Sequence, residues 1–399
     1  RNTGRRMKKD IYKVLGTQFF TAFADNAVLF TVITLVLQQM NPGDWYIPAL
    51  QASFLVAIVI FAPWVGGFAD TRPKPRVMLY ANLIKAAGVG LILLNISPLI
   101  SYAVIGLGAA MYSPAKYGIL PELVDEDTLV KANGWIEGST ILAILSGTLV
   151  GSALSEYSVA LSLALVLVLY ASSALIALSI KHQLIVSPSS KLAFGSSLHG
   201  FYSQMKRLLA TPRARFSTLG VSLFWAAATV LRVLLIAWAP VVLMLHSTTD
   251  IALLTMFVAI GIAVGSVLVP KLIPMAYLRR ARLAAYGMGA VIVLLSLLDN
   301  VWGVRAGLFL AGICGGLFVV PINAALQEIG HKSIGAGGAV AVQNFFESLA
   351  MLMASGLYAY IAGIGISPVA TMTALGVIVV ILTLIVSLRL PPDTGELTN

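Results

Sequence analysis

Seven ionisable side chains lie inside otherwise apolar stretches of this 399-residue chain, and they are the groups best suited to chemistry. Where such a stretch crosses a bilayer, a charge costs roughly 2.5 to 3.5 kcal/mol on insertion scales, so by default it faces an opposite charge or a water-filled cavity. The basic groups can bind phosphate, arginine through a bidentate fork and lysine as a point charge, and the acidic groups can bind an ammonium. The seven residues are Lys85, Lys116, Arg232, Arg305, Asp25, Glu137 and Glu347.

Polar side chains three or four residues from a charge share its face on a helix. This spacing predicts that Gln343 and Asn344 share a helix face with Glu347, and that Tyr112 shares one with Lys116. Two further candidates are sequence neighbours of a charge and point about 100° away from it, which makes shared contacts less favourable. The predicted substrate-binding set is Asp25, Asn26, Tyr112, Lys116, Tyr117, Arg232, Gln343, Asn344 and Glu347.

Each of these groups also has a structural interpretation. A charge can belong to a permanent ion pair between helices, and a buried amide can simply bridge helices. Glu137 could hold arginine or amide groups within the N-terminal half. For Lys85 and Arg305, which we expect nearer to span ends, a structural role is an equal alternative.

The composition decides the class of protein that must hold these charges. Hydrophobic residues make up 59% of the chain and charged residues 11%, with a mean hydropathy of +0.93. A soluble domain carries about 25% charged residues, so the polar surface is too small for a water-exposed fold. Apolar stretches of roughly twenty residues, without strand-like alternation, indicate helices rather than a barrel. We therefore predict an all-α membrane protein, in which the single Cys314 cannot form an intrachain disulfide.

Twelve spans fit the apolar stretches, from 12–38 to 367–389, with the ninth at 283–298. The first is too long for a cleavable signal peptide, which predicts a retained helix. If both termini are cytoplasmic, all but four of the 26 Lys and Arg residues fall in cytoplasmic segments and none in the opposite loops. This is a strong positive-inside pattern, so the net charge of +10 reports topology rather than nucleic-acid binding. Contact with anionic membrane lipids is a secondary expectation.

An internal repeat divides the chain. An offset of 207 residues places Asp25 on Arg232, and Pro114 on Pro321. A shift to 210 aligns the segment 133–137 with 343–347, so an amide followed by Glu recurs in spans 5 and 11. We predict two pseudo-symmetric six-helix bundles, 1–180 and 216–399, joined by a cytoplasmic linker at 181–215. Repeats of this kind place a substrate site near the midplane and favour transport by rocking of the two bundles.

The segment from Gly66 to Arg76 resembles the loop motif of major facilitator superfamily transporters. The Gly, Asp and basic positions of that motif are present, while Pro73 replaces its second Gly. Charge pairing at this helix end can latch the cytoplasmic side in one conformation. Opposite charges in the two halves could also form salt bridges when the site is empty. The predicted gating residues are Asp25, Asp70, Arg72, Arg76, Glu137 and Arg232.

A narrower resemblance covers nearly the whole chain. The strings 18–27, 112–120, 131–134, 223–232 and 341–347, above all Ser-Pro-Ala-Lys-Tyr-Gly at 113–118, resemble the LplT family of bacterial lysophospholipid transporters. The resemblance implies inward movement of lysophospholipids, chiefly lysophosphatidylethanolamine, from the outer to the inner leaflet of the bacterial inner membrane. It further implies functional coupling to a cytoplasmic acyltransferase and acyl carrier protein synthetase that reacylate the lipid. We expect the acyl chain to lie along the apolar seam between the bundles after lateral access from the outer leaflet.

Other functions fit the same residues less well. A proton-coupled exporter of amphiphilic drugs, in which Asp25 or Glu347 would titrate, is the alternative within transport. A lipid-remodelling enzyme is disfavoured because the four histidines lie in loops or at span ends, and no nucleophile or metal constellation accompanies them. A non-transporting scaffold is disfavoured because charges in its core would destabilise it. We therefore expect no catalytic residue, metal or cofactor, and no nucleic acid partner.

Overall fold

The computed structural model describes residues 2–123, 126–180, 194–273, 275–333, 336–388 and 390. Within these ranges the chain is helical and contains no β-strand, which agrees with the predicted all-α class. The side chains of Asp70, Tyr117 and Glu137, three predicted site or gating residues, lie outside the description. The α-helices are α1 (Asn2–Gln39), α2 (Tyr46–Asp70), α3 (Lys74–Leu93), α4 (Pro98–Leu123), α5 (Glu126–Tyr157), α6 (Val159–Leu178), α7 (Phe194–Leu208), α8 (Pro212–Val242), α9 (Thr248–Leu272), α10 (Ala281–Leu295), α11 (Val301–Ser333), α12 (Ala336–Gly363) and α13 (Pro368–Val386).

Several helices begin where the sequence supplies a capping side chain. The hydroxyls of Ser158, Thr211, Ser247 and Ser367 each accept a hydrogen bond from a backbone N–H in the first turn of the following helix. Such a bond satisfies one of the donors that a helix start leaves without an intrahelical partner. These caps fix the starts of α6, α8, α9 and α13.

Eleven of the described helices are long and apolar enough to cross a bilayer. The two exceptions are α7, which lies in the segment predicted as a linker, and α10, which corresponds to the predicted ninth span. With 15 residues, α10 rises about 22 Å, less than the about 30 Å of a hydrocarbon core. It follows directly on a 3-10 helix, Met275–Arg280, and packs on α11 and α13.

The chain separates into two compact units. Unit 1 comprises 1–41 and 53–201, and unit 2 comprises 42–52 and 202–399. The short segment 42–52 therefore packs with unit 2, although it lies early in the sequence. Within unit 2, a Cβ placed on Gly363 at the end of α12 would lie 3.6 Å from the Cβ of Trp45.

Unit 1 is organised around α1, which packs on α5 and α6, while α3 packs on α4 and α6. Glycines bring α1 and α5 unusually close. A Cβ placed on Gly147 would lie 2.5 Å from the carbonyl oxygen of Phe23, and one on Gly151 would collide with Ala27. Small residues spaced four apart on one helix allow such a close approach.

Unit 2 contains a similar glycine seam between α9 and α11. A Cβ placed on Gly316 would lie 2.5 Å from the carbonyl oxygen of Ile262, and Gly261 and Gly312 face each other across the same seam. Since backbone atoms fill the space that a side chain would need, neither helix tolerates a larger residue there without moving.

Candidate functional site

A buried ion pair links three helices of unit 1. The Nζ atom of Lys85 on α3 lies 3.0 and 2.9 Å from the two carboxylate oxygens of Asp25 on α1. The hydroxyl of Tyr170 on α6 donates to one of the same oxygens at 2.5 Å. Lys85 is 1% exposed and Asp25 32%, so the lysine is enclosed and the carboxylate is reached from one side.

Lys85 is the main functional candidate whose role the sequence understates. We expected it near a span end, and this expectation is wrong, because Lys85 is the twelfth of the 20 residues of α3. A lysine at that depth cannot extend its amine to the membrane surface and therefore needs an internal partner. Its position near the middle of an apolar segment was the available signal.

Aromatic rings extend the charged cluster toward α4. The amine of Lys85 lies 5.1 Å from the ring centroid of Tyr112 and 5.8 Å from that of Tyr170. The amine of Lys116 lies 5.9 Å from the same Tyr112 ring. Tyr112 therefore stands within cation–π distance of both lysines. The predicted association of Tyr112 with Lys116 on α4 is confirmed, and the structure adds Lys85 to it.

Hydrogen bonds between helices hold α1, α3 and α6 in place beside the ion pair. The Thr21 hydroxyl donates to the Asn82 side-chain oxygen at 3.0 Å and lies 2.6 Å from the Ser173 hydroxyl. Ser173 in turn donates to the backbone oxygen of Thr17 at 3.0 Å. All four residues are buried. The network fixes the relative heights of the helices that carry Asp25, Lys85 and Tyr170.

Asn26 is turned toward its own helix. Its side-chain nitrogen donates to the backbone oxygen of Ala22 at 2.8 Å, one turn earlier. This geometry agrees with the sequence expectation that Asn26 points away from the charge of Asp25. The hydrogen bond to Ala22 also occupies a side-chain N–H that could otherwise bind a substrate.

Unit 2 brings its polar candidates together on α11 and α12. The side-chain nitrogen of Gln343 donates to a carboxylate oxygen of Glu347 at 2.9 Å and also to the side-chain oxygen of Asn323. The predicted pairing of Gln343 with Glu347 on one helix face is confirmed. Asn344 is half-buried beside them.

Asn323 is a member of this cluster that the sequence-based set lacks. It lies on α11, 20 residues before its partner Gln343. A signal was available, because the 207-residue offset that aligns Pro114 with Pro321 also aligns Lys116 with Asn323. The position that the offset relates to Lys116 therefore also carries a polar side chain.

Arg232 lies on α8 with a half-buried side chain between the buried residues Leu231 and Val233. Close to it is an apolar recess of about 310 Å³, including the space at its open side. The recess is bounded by residues of α8, α9, α10 and α11, among them Phe224, Leu231, Val258, Ile262, Met288 and Ile292.

The loop motif between α2 and α3 contains a second buried ion pair. The amine of Lys74 lies 2.6 Å from a carboxylate oxygen of Glu122 at the end of α4, and the two side chains are 3% and 6% exposed. Among the predicted gating residues of this loop, Arg72 lies 4.1 Å above the Phe68 ring and donates to the Thr71 hydroxyl, while Arg76 is exposed. Among the described residues of unit 1, the Lys74 pair is therefore shorter than the 2.9 Å pair of Lys85 with Asp25.

The helix count, the two units and the polar groups in the helices define a helical membrane transporter. A sequence model described as the Major Facilitator Superfamily matches residues 14–355, and the chain belongs to that superfamily. Among solved structures, the nucleoside transporter NupG has a TM-score of 0.70 at 13% identity, covering 94% of this chain and 98% of its own. An auto-inhibited POT family peptide transporter has a TM-score of 0.69 at 13% identity, covering 96% and 98%. At these identities the two structures support the fold alone.

Curated relatives place the chain within the LplT family of that superfamily. The protein named Lysophospholipid transporter LplT from Photorhabdus laumondii is 42% identical over 358 residues, 90% of each chain. Proteins of the same name from Klebsiella pneumoniae and Salmonella typhimurium are 40% identical over 370 residues, 93% of each chain, and 42% identical over 361 residues, 90% of each chain. The family is one of transporters, so the chain is a transporter and not an enzyme. The described residues also contain no group of three or more His, Cys, Asp or Glu side chains able to hold a metal ion.

Proposed function

We propose that this chain transports lysophospholipids, chiefly lysophosphatidylethanolamine, from the outer to the inner leaflet of the bacterial inner membrane for reacylation in the cytoplasm. The observation that carries the proposal is the 40 to 42% identity, over nine tenths of the chain, to proteins named Lysophospholipid transporter LplT. The charged and polar clusters of the two units supply groups that suit the headgroup of such a lipid.

The ion pair of unit 1 suggests how a zwitterionic headgroup is received. Lysophosphatidylethanolamine carries an anionic phosphate and a cationic ammonium. If the phosphate replaces Asp25 as the partner of Lys85 while the ammonium binds Asp25, every buried charge stays compensated throughout the exchange. The side of Asp25 that is exposed gives the ammonium its access. Lys116, beside the shared Tyr112 ring, provides a second cation for the phosphate.

The polar groups of unit 2 complete the proposed site. Arg232 can bind phosphate oxygens through its bidentate fork, and Glu347 can bind the ammonium. Gln343 orients Glu347 through their hydrogen bond, and its neighbour Asn344 offers a further amide. Tyr112 acts as a ring surface for cations, whereas Asn26 and Tyr117 remain weaker candidates for contact.

Transport would proceed by alternating access, with the two bundles moving as bodies around the charged site. The glycine seams support this, because tightly packed helices move together more easily than they bend. We assign the latch on the cytoplasmic side to the loop between α2 and α3, with Lys74 and Glu122 added to Asp70, Arg72 and Arg76. Asp25, Arg232 and Glu137 are proposed to change partners during the cycle.

The proposed orientation places both termini in the cytoplasm, since the basic residues are concentrated on that side. The lysophospholipid would enter laterally from the outer leaflet, keeping its acyl chain in an apolar seam. Reacylation requires a cytoplasmic acyltransferase that accepts the delivered lipid, and we propose that the coupling to this enzyme is functional.

The decisive experiment measures uptake of labelled lysophosphatidylethanolamine by spheroplasts that lack their own activity, with and without an uncoupler. We expect uncoupler-insensitive uptake by the intact chain, loss of uptake in Arg232→Ala, and normal uptake in the control Lys271→Ala, which removes an exposed charge at the end of α9. Absence of uptake together with uncoupler-sensitive efflux of amphiphilic drugs would refute the lipid assignment and favour the drug exporter.

A further inference from the structure

Arg305 is separated from the other basic residues of the chain. It is the fifth residue of α11, at the end opposite to the basic loops, whereas the loops at that end contain no Lys or Arg. The sequence places it near a span end, and the structure agrees. The positive-inside pattern does not account for a basic residue at this end of the helix, so the explanation must lie in its immediate surroundings.

The surroundings of Arg305 are aromatic rather than acidic. Its guanidinium carbon lies 4.8 Å from the ring centroid of Trp302, one turn earlier, and 5.7 Å from that of Phe257 on α9. The two ion pairs between side chains of the described residues are Lys74 with Glu122 and Lys85 with Asp25, so neither involves Arg305. The rings attract the positive charge through their faces, and they offer no oxygen to the guanidinium N–H groups.

One of these donors is shielded from water as well. The Nε atom of Arg305 is buried and makes no hydrogen bond within the described part of the chain. A buried donor without an acceptor is costly, so an anion with oxygen atoms would relieve it. The guanidinium fork matches the oxygens of a phosphate.

The backbone N–H groups at the start of α11 are already engaged. The Asn300 side-chain oxygen accepts from the backbone nitrogens of Trp302 at 2.8 Å and Gly303 at 3.4 Å. An anion at this position would therefore be bound by the Arg305 side chain and not by the helix terminus. Trp302 is 71% exposed, which is typical of the tryptophans that lie among lipid headgroups at a membrane surface.

We propose that Arg305, with Trp302 and Phe257, binds the phosphodiester of a glycerophospholipid at the outer surface of the membrane. The outer location rests on the orientation given under the proposed function. The phosphate can come from a lysophospholipid awaiting transport or from a resident diacyl phospholipid. In the first case the site concentrates substrate beside α9 and α11 before it reaches the charged interior.

The test titrates the full-length protein in dodecyl maltoside micelles, which contain no phosphate, with three lipids. These are lysophosphatidylethanolamine, dioleoylphosphatidylethanolamine and monooleoylglycerol. The signal of Trp302 is the difference in tryptophan fluorescence between the protein and its Trp302→Phe variant. We expect this signal to respond to one or both phospholipids and not to monooleoylglycerol. A response to the lysolipid alone identifies the substrate as the ligand, and a response to both identifies the shared phosphodiester.

Two substitutions separate charge from packing. Arg305→Gln should raise the phospholipid concentration that gives half of the fluorescence response about tenfold, which corresponds to about 1.4 kcal/mol of binding free energy. Arg305→Lys keeps the charge and should retain a phosphate-dependent response, while Lys271→Gln, at the opposite end of α9, should respond as the unmodified protein does. An equal response to monooleoylglycerol, or an unchanged response in Arg305→Gln, overturns the proposal.

Uptake by spheroplasts tests the role in transport separately. If the lysolipid is the ligand, Arg305→Gln should raise the half-saturating concentration of lysophosphatidylethanolamine about tenfold and leave maximal uptake within twofold. Absence of uptake by the unmodified chain would count against the proposed function, and the fluorescence titration would still decide whether Arg305 binds lipid phosphate.

Discussion

Units 1 and 2 differ in how they hold polar groups, although an offset of 207 residues relates several positions of their sequences. At the 207-residue offset, Lys74 and Lys85, the lysines of both ion pairs in unit 1, correspond to Ala281 and Ile292 in unit 2. Both counterparts are buried. A lysine and an apolar side chain at positions that the offset relates require different partners, so related positions need not form related sites.

The difference extends to the neighbours of these positions. In unit 1 the charge of Lys85 is enclosed by Asp25 and two tyrosine rings. In unit 2 the equivalent Ile292 borders an apolar recess. A hydrogen-bonded polar cluster of unit 2 lies instead on α11 and α12, where Gln343 joins an amide and a carboxylate, and Arg232 lies on α8. Among the described contacts, the charged side chains Lys74 and Lys85 of unit 1 therefore form ion pairs, whereas Gln343 of unit 2 joins its neighbours by side-chain hydrogen bonds.

The largest effect should come from breaking the more buried ion pair. Lys74→Met removes the partner of Glu122, whose carboxylate is 6% exposed, and should destabilise the protein by about 3 to 5 kcal/mol. Thermal unfolding of the purified protein in detergent measures the loss. Arg76→Met, two residues away and exposed, is the matched control and should change stability by less than about 0.5 kcal/mol. Equal effects of the two substitutions would show that the buried pair of unit 1 stabilises the protein no more than an exposed charge does.

Breaking the pair at the proposed site should cost less, because Asp25 is one third exposed and keeps its bond from Tyr170. We expect Lys85→Met to destabilise by about 2 to 3 kcal/mol. The double variant Asp25→Asn/Lys85→Met should regain more than half of this stability, since no unpaired charge remains, and should still fail to take up lysophospholipid. Recovery of uptake in the double variant would argue that the pair is structural only.

The glycine seams should behave alike in the two units. Gly316→Ala and Gly147→Ala each push a methyl group against a backbone oxygen and should destabilise by about 1 to 3 kcal/mol. Gly138→Ala, on α5 where nothing lies within 4 Å of the added carbon, should be neutral or stabilising by up to about 1 kcal/mol. Thermal unfolding of the three variants compares them, and a tolerated alanine in one seam alone would show that this seam is looser than its distances indicate.

The smallest effect concerns the amide chain of unit 2. Gln343→Ala removes the bonds to Asn323 and Glu347 and should destabilise by about 1 kcal/mol, the range of hydrogen bonds between membrane helices. Uptake of lysophosphatidylethanolamine by this variant should fall by more than its small loss of stability explains, because Glu347 loses the hydrogen bond that orients it. Asn344→Ala, the adjacent amide, is the control for stability. A larger loss of stability in Asn344→Ala than in Gln343→Ala would contradict the hydrogen-bond chain.

Sequence reasoning succeeded where contacts are local. The pairs Gln343 with Glu347 and Tyr112 with Lys116 follow from a spacing of four residues on one helix, and the structure contains both associations. It failed for Lys85, which lies near the middle of α3, because its enclosure by Asp25 and two tyrosine rings depends on how α3 packs against other helices. The sequence does not distinguish Lys74 from the other basic residues of the loop motif, since its burial beside Glu122 depends on where α4 ends.

Composition and periodicity are properties of the chain alone, and they suffice to specify the membrane class, the helical architecture and the set of charges that the fold must accommodate. Which of these charges meet depends on tertiary packing. The partners Lys85 and Asp25 are 60 residues apart and Lys74 and Glu122 are 48 apart. No sequence periodicity predicts a contact across such separations. Which side chains meet depends on the crossing angle, height and rotation of whole helices, and these are fixed by packing at glycine contacts and by polar networks.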